Sequence, residues 1–252
     1  MKVLGIDLAA QPQRTGIALL EVVADRPSLA PVHVPGSDDA LVELAAAVDV
    51  VGVDAPLGWP VNFVAAVSAH ERLEPWLGRV DRGELCFRRT DEHVRGRTGR
   101  WPLSVSTDKL GIVAMRCALL QERFAAEAWG GKRQPRDGSG RLVETYPAGA
   151  LHVWGLPRNG YKGKEERARA VRAAILDGLQ TIADLGELAE ASIASDDTLD
   201  AAVSALIGWM ATSGRTIAPS GQDACRLAAV EGWIHLPTGS PSELPAGATD
   251  SI

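Results

Sequence analysis

The sequence predicts an α/β fold built on a mixed sheet, and three observations predict it. Apolar runs of strand length lie at 2–8, 15–23 and 49–54. The first two are joined by "QPQRTG", whose Pro and Gly suit a hairpin. A helical segment at 38–47 precedes the run at 49–54, so that run returns by a crossover and lies parallel to an earlier strand.

Each element has its own justification. "KVLGIDL" (2–8) is an apolar run interrupted only by Asp7, as a buried strand requires. "TGIALLEVV" (15–23) is the second strand, and 30–35 supplies a short third. "DDALVELAAA" (38–47) opens with acids and runs apolar at helical spacing. "DVVGVD" (49–54) is a buried strand, stopped by the prolines of "APLGWP". From about 60 to 140 the chain is rich in Arg, Trp and Gly and reads as an insertion with one clear helix, at 108–129. Within it "GGKRQPRDGSG" (130–140) reads as a flexible loop. A strand follows at 141–149, ending at Pro147. Then come a basic amphipathic helix at 163–179, a helix at about 196–211 and a short strand at 231–237. One domain therefore spans 1–237. Residues 238–252 hold almost no core formers and read as a disordered tail.

Composition excludes several classes. The 252 residues are 46% hydrophobic and 23% charged, as in an ordinary globular protein. No apolar run is long enough for a transmembrane helix. "MKVLGIDLAA" is too short and too soon acidic for a signal peptide. Cys86, Cys117 and Cys225 are odd in number and scattered, which argues against disulfides and zinc. A cytoplasmic protein is expected. The net charge is −6, yet the segments 79–100, 132–141 and 158–172 are markedly basic. Such segments suit a phosphate-bearing partner; they also serve as plain solvated faces.

The acids carry the chemistry. Asp7 and Asp54 fall at predicted strand ends, where sites of open parallel sheets collect. "SDDTLDAAVSALIG" (195–208) crowds Asp196, Asp197 and Asp200 at a helix start. Capping and the helix dipole suit Ser195, Asp196 and Asp197. They explain Asp200 poorly, because it lies on the edge of the stripe Leu199, Val203, Leu206, Ile207 and Met210. Asp7, Asp54 and the pair Asp197 and Asp200 come from three separate elements, which is the layout of a Mg²⁺ or Mn²⁺ site. Glu144 is a further strand-borne acid.

Here the residues reach a resemblance. "GIDLA…TG", "VGVDAPLGWP", "RRTD", "ETYPAG", "DDTLDA" and "EGWI", in this order over about residues 3–237, resemble the family catalogued as domain of unknown function 429. The resemblance implies a ribonuclease H-like fold, a mixed five-stranded sheet with helices on both faces, and nuclease activity. The wider superfamily, Holliday-junction resolvases included, carries one Asp on its first strand, one acid on the fourth and an acidic pair at a late helix. Those roles fall on Asp7, Asp54, Asp197 and Asp200.

Other candidates carry two readings each. Arg88, Arg89 and Asp91 of "RRTD" offer a phosphate clamp or a structural ion pair. Glu144, Thr145 and Tyr146 of "ETYP" face the site or pack beneath a loop. Trp59, Trp76, Trp101, Trp129 and Trp154 stack bases or fill the core. Lys109 and Lys162 meet phosphates or water. Three functions are then open: a metal-dependent nuclease acting on DNA or RNA, a small-molecule phosphotransferase of the actin-like or sugar-kinase type, and a non-catalytic binding module. For the second, "SGRTIAPSGQD" (213–223) is a poor adenosine loop. The oligomeric state is left open.

Overall fold

The computed structural model describes residues 1–76 and 82–239. Six strands form one sheet: β1 (Lys2–Asp7), β2 (Gly16–Val23), β3 (Arg26–Pro31), β4 (Val50–Asp54), β5 (Leu142–Thr145) and β6 (Ile234–His235). Their order is β3-β2-β1-β4-β5-β6. The first three strands form an antiparallel meander, and β4, β5 and β6 run parallel to β1. The mixed α/β class is as expected, but the sheet has six strands rather than five. The last short strand of the sequence pairs with β5 and extends the sheet.

The third strand begins earlier than expected, at Arg26. The reversal before it uses Ala24 and Asp25, both with positive φ (48° and 60°), where Gly or Asn usually marks such a turn.

Ten helices complete the described chain: α1 (Asp38–Ala46), α2 (Val61–Glu71), α3 (Arg82–Cys86), α4 (Arg89–Thr98), α5 (Gly111–Arg123), α6 (Pro147–Val153), α7 (Glu166–Leu179), α8 (Leu188–Ala194), α9 (Asp196–Thr212) and α10 (Gln222–Glu231). α5 runs on into a π-helical turn at Phe124–Ala128. Among the described residues, no helix is long and apolar enough to cross a membrane.

The stretch between β4 and β5 thus holds four helices, not one. Its loop at 130–140 is also tied down. His235 Nε2 donates to the Asp137 carbonyl at 2.9 Å, and the Trp233 amide to Arg136 at 3.1 Å. Of the expected tail, the Thr238 amide donates to Arg215, and 240–252 lie outside the described residues.

Strand parity sorts the core into two layers. Leu4 and Ile6 of β1 and Val51 and Val53 of β4 join α1 and α5 on one face. Val3, Ala18, Val50 and Val143 join α6, α7, α8 and α9 on the other. By the same alternation Gly5 and Asp7 of β1, and Gly52 and Asp54 of β4, face α9.

α9 is buried nearly all round, as an apolar helix in a protein centre must be. It can lie so low because three adjacent strands each present a glycine. A Cβ on Gly5 would stand 1.9 Å from the Ala201 carbonyl oxygen. The corresponding distances are 2.0 Å from Gly16 to Asp197 and 2.2 Å from Gly52 to Ser204. Backbone meets backbone, and this seats the start of α9 over the ends of β1 and β4.

Candidate functional site

Asp7 and Asp54 end neighbouring parallel strands and lie side by side in the register. Asp200, on the second turn of α9, comes down on them from the face above. Each contributes a carboxylate oxygen, and the three oxygens lie within 4.8 Å of one another. Asp7 and Asp54 are half-buried, and Asp200 is 1% exposed. This set is hard-oxygen chemistry of the kind that ligates Mg²⁺ or Mn²⁺.

Two neighbours offset part of the repulsion. The Tyr161 hydroxyl donates to Asp200 Oδ1 at 3.0 Å, and Lys162 Nζ donates to Asp200 Oδ2. The charge remains costly. Burial, then Asp200, push the Asp54 carboxyl up to about 8. Burial, then Asp200 and Asp54, hold Asp7 well above the carboxylate range. Burial also raises Asp200, against the pull of Lys162.

A stability profile follows from these directions. Asp54 binds its proton more tightly folded than unfolded. Its contribution is fully present below about pH 4, the ordinary carboxylate range, and is lost as pH rises through about 8. In EDTA the protein is expected to lose on the order of 1 kcal/mol per pH unit across pH 5–8. Asp54→Asn should flatten that slope in urea unfolding. An equal slope in both proteins would refute the assignment.

Asp197 does not join the three. Its side chain is half-buried and close enough to act on Asp7, but Asp196, Arg14 and Lys162 are its own charged surroundings. Three residues along a helix is a rotation of about 300°, so Asp197 and Asp200 diverge by roughly 60°. Ser195 caps the helix, its hydroxyl accepting from the Thr198 amide at 3.3 Å. Asp196 stands beside Lys162, Oδ2 to Nζ 3.9 Å.

Glu144 lies on the opposite face. It pairs with Val53 across the sheet, and Val53 points away from α9. Thr145 takes the α9 side instead, its hydroxyl donating to Ser204 Oγ at 2.9 Å. Glu144 accepts from Arg88 through both oxygens (2.7 and 3.0 Å) and from the Leu57 amide (3.0 Å).

Arg88 is 2% exposed and has no donor left for a phosphate. Its five N–H groups reach Asp91 (Nε and Nη2, 3.2 and 3.0 Å), Glu144 and the Glu231 carbonyl (3.1 Å). Glu231 in turn accepts from the first amides of α2 and α4, Val61 at 2.9 Å and Arg89 at 2.8 Å. Arg88, Asp91 and Glu144 therefore form a buried structural node. The exposed Arg89 side chain pairs with Glu92 at 2.5 Å.

The motifs thus divide between two places. "GIDLA", "VGVDA" and "DDTLDA" meet at the three carboxylates. "RRTD", "ETYP" and "EGWI" meet at the Arg88 node.

Tyr146 is half-buried and packs against Val94, Ile234 and Leu236; burial, then Asp54, raise its phenol, while Arg158 and Arg100 pull it down. Those two arginines thus lie near Tyr146 and Arg14 lies near Asp197, while Lys162 is the cation on the triad itself. The tryptophans divide: Trp129 and Trp154 are core, Trp59 is half-buried and Trp76 is exposed. Trp101 stacks on Phe87 at 4.0 Å beneath Arg95. "SGRTIAPSGQD" is bound to the β6 end of the sheet through Ile217 and Thr216.

A family model described as protein of unknown function (DUF429) matches residues 5–224. The chain belongs to that family. The match includes Asp7, Asp54, Tyr161, Lys162 and Asp200, so the DUF429 region contains the whole carboxylate site; of the Arg88 node it includes Arg88, Asp91 and Glu144 but not Glu231. No curated protein and no solved structure shows significant similarity to this DUF429 chain.

Sequence reasoning underrated Lys162 and missed Tyr161. Neither carries a motif; each is a single polar residue in a loop between Gly160 and Gly163. The pairing would have been signalled only by knowing that Asp200 is buried, since a buried carboxylate demands donors.

Proposed function

We propose that the protein is a divalent-metal-dependent nuclease with a ribonuclease H-like fold. The observation that carries this reading is the triad: three carboxylates from β1, β4 and α9 with oxygens within 4.8 Å of one another. The superfamily pattern of an acid on the first strand, another on the fourth and a pair at a late helix supports it, as does the meander-and-crossover topology. Asp7, Asp54 and Asp200 would hold Mg²⁺ or Mn²⁺, with Asp197 beside them. Bound there, the ion supplies Lewis acidity and an activated water.

The chain's own residues do the rest. Tyr161 orients Asp200. Arg14, Arg100, Arg158 and Lys162 would meet the phosphate backbone of the substrate. A wholly acidic site suits a cation alone; Lys162 on Asp200 and Arg14 near Asp197 support a polyanion, DNA or RNA, as the substrate. The cytoplasm is the proposed location.

The test is cleavage of single- and double-stranded DNA and RNA in Mg²⁺ or Mn²⁺. Wild type should cut at least one of these substrates, and EDTA should stop it. Asp7→Asn should lower the rate by about a hundredfold or more, since even outer partners of metal ligands cost 10–100-fold. Cleavage that survives Asp7→Asn undiminished would remove the triad from the reaction.

A further inference from the structure

The triad already faces a cation, and it is part of the chain. Lys162 Nζ donates to Asp200 Oδ2 and lies 3.9 Å from Asp196 Oδ2. The side chain therefore stands between two carboxylates one turn apart on the same helix. Its backbone is fixed. Arg172, wholly buried, donates through Nη1 to the carbonyls of Tyr161 and Gly163, on either side of Lys162. Its Nε and Nη2 hold the Ile193 carbonyl at 3.1 and 2.6 Å, just ahead of α9. The Lys162 side chain is held only at its ammonium: it is 54% exposed on a four-carbon stem.

An ion held by Asp7, Asp54 and Asp200 needs the carboxylate that the ammonium occupies. Two cations a few ångströms apart in a half-buried site repel strongly. We propose that Lys162 is an exchangeable counterion of this site. It offsets part of the carboxylate charge before metal arrives, yields Asp200 to an incoming divalent ion, and moves outward to Asp196. This rests on the metal reading of the triad and adds to it a control on affinity. Metal loading is an exchange of one cation for another, and the displaced ammonium ends at the rim, where a phosphate of the substrate would arrive.

Mn²⁺ binding to the full chain, followed by electron paramagnetic resonance at fixed pH, tests the exchange. Lys162→Met should bind Mn²⁺ at least about tenfold more tightly than wild type, because a competing charge is gone. In wild type, acetylation of Lys162 by acetic anhydride, read by mass spectrometry, should quicken several-fold on adding Mn²⁺. This second measurement does not depend on the variant folding. Equal Mn²⁺ affinity in both proteins, or acetylation indifferent to bound Mn²⁺, overturns the exchange and leaves the metal site standing. Binding by Lys162→Met alone supports the exchange. Failure of both proteins to bind Mn²⁺ overturns the exchange and the metal reading together.

Discussion

Arg88→Met is expected to destabilise the protein by about 3–5 kcal/mol, the usual cost of removing one partner from a buried ion pair. Arg88 is 2% exposed, and its loss strands Asp91 and Glu144, whose side chains are 1% and 2% exposed. It also frees the Glu231 carbonyl, on a residue that caps α2 and α4. For a chain of this size the loss corresponds to a fall in melting temperature of roughly 10 °C. Arg88→Lys should recover little, because an ammonium cannot reproduce five donors in a planar fork. Thermal and urea unfolding measure both. A change under about 1 kcal/mol would mean that the node is solvated and not structural.

Gly5→Ala is expected to cost about 3 kcal/mol or more, an overpacking larger than most. The added methyl would stand 1.9 Å from the Ala201 carbonyl oxygen and 2.6 Å from the Ala205 amide nitrogen. Neither atom belongs to a side chain that can turn away. The helix itself must lift, and Asp200 with it, so Mn²⁺ affinity should fall alongside stability. Gly111→Ala, at the open start of α5 with nothing within 4 Å, is the neutral control. Equal urea midpoints for the two variants would contradict the close seat of α9.

What could be read from the sequence follows from where apolar periodicity is strong. β1, β2, α1, β4 and α9 are apolar and well punctuated, and they carry Asp7, Asp54 and Asp200. α4 was invisible for a physical reason. Its sequence "RTDEHVRGRT" buries Thr90, Asp91, Val94 and Thr98, so the face it turns inward is mostly polar. A helix anchored by a buried ion pair has no hydrophobic stripe to detect. Glu144 keeps two readings in the sequence because its parity relative to Asp54 depends on the register of β5 against β4, which a single strand does not reveal. The basic segments overstated the cationic surface for a similar reason: Arg88 and Arg172 lie inside.

The position of α9 has a consequence in time. The strands that carry Asp7 and Asp54 are complete by residue 54, whereas Asp200 lies almost 150 residues later. A chain emerging from the ribosome makes the first part of the sheet early, with the glycine floor still uncovered. No complete triad exists until the helix that fills that floor has been synthesised and has docked. The same docking event closes the larger apolar core. The proposed metal site is therefore completed at the end of folding, together with stability. Fragments truncated before Ser195 would lack both.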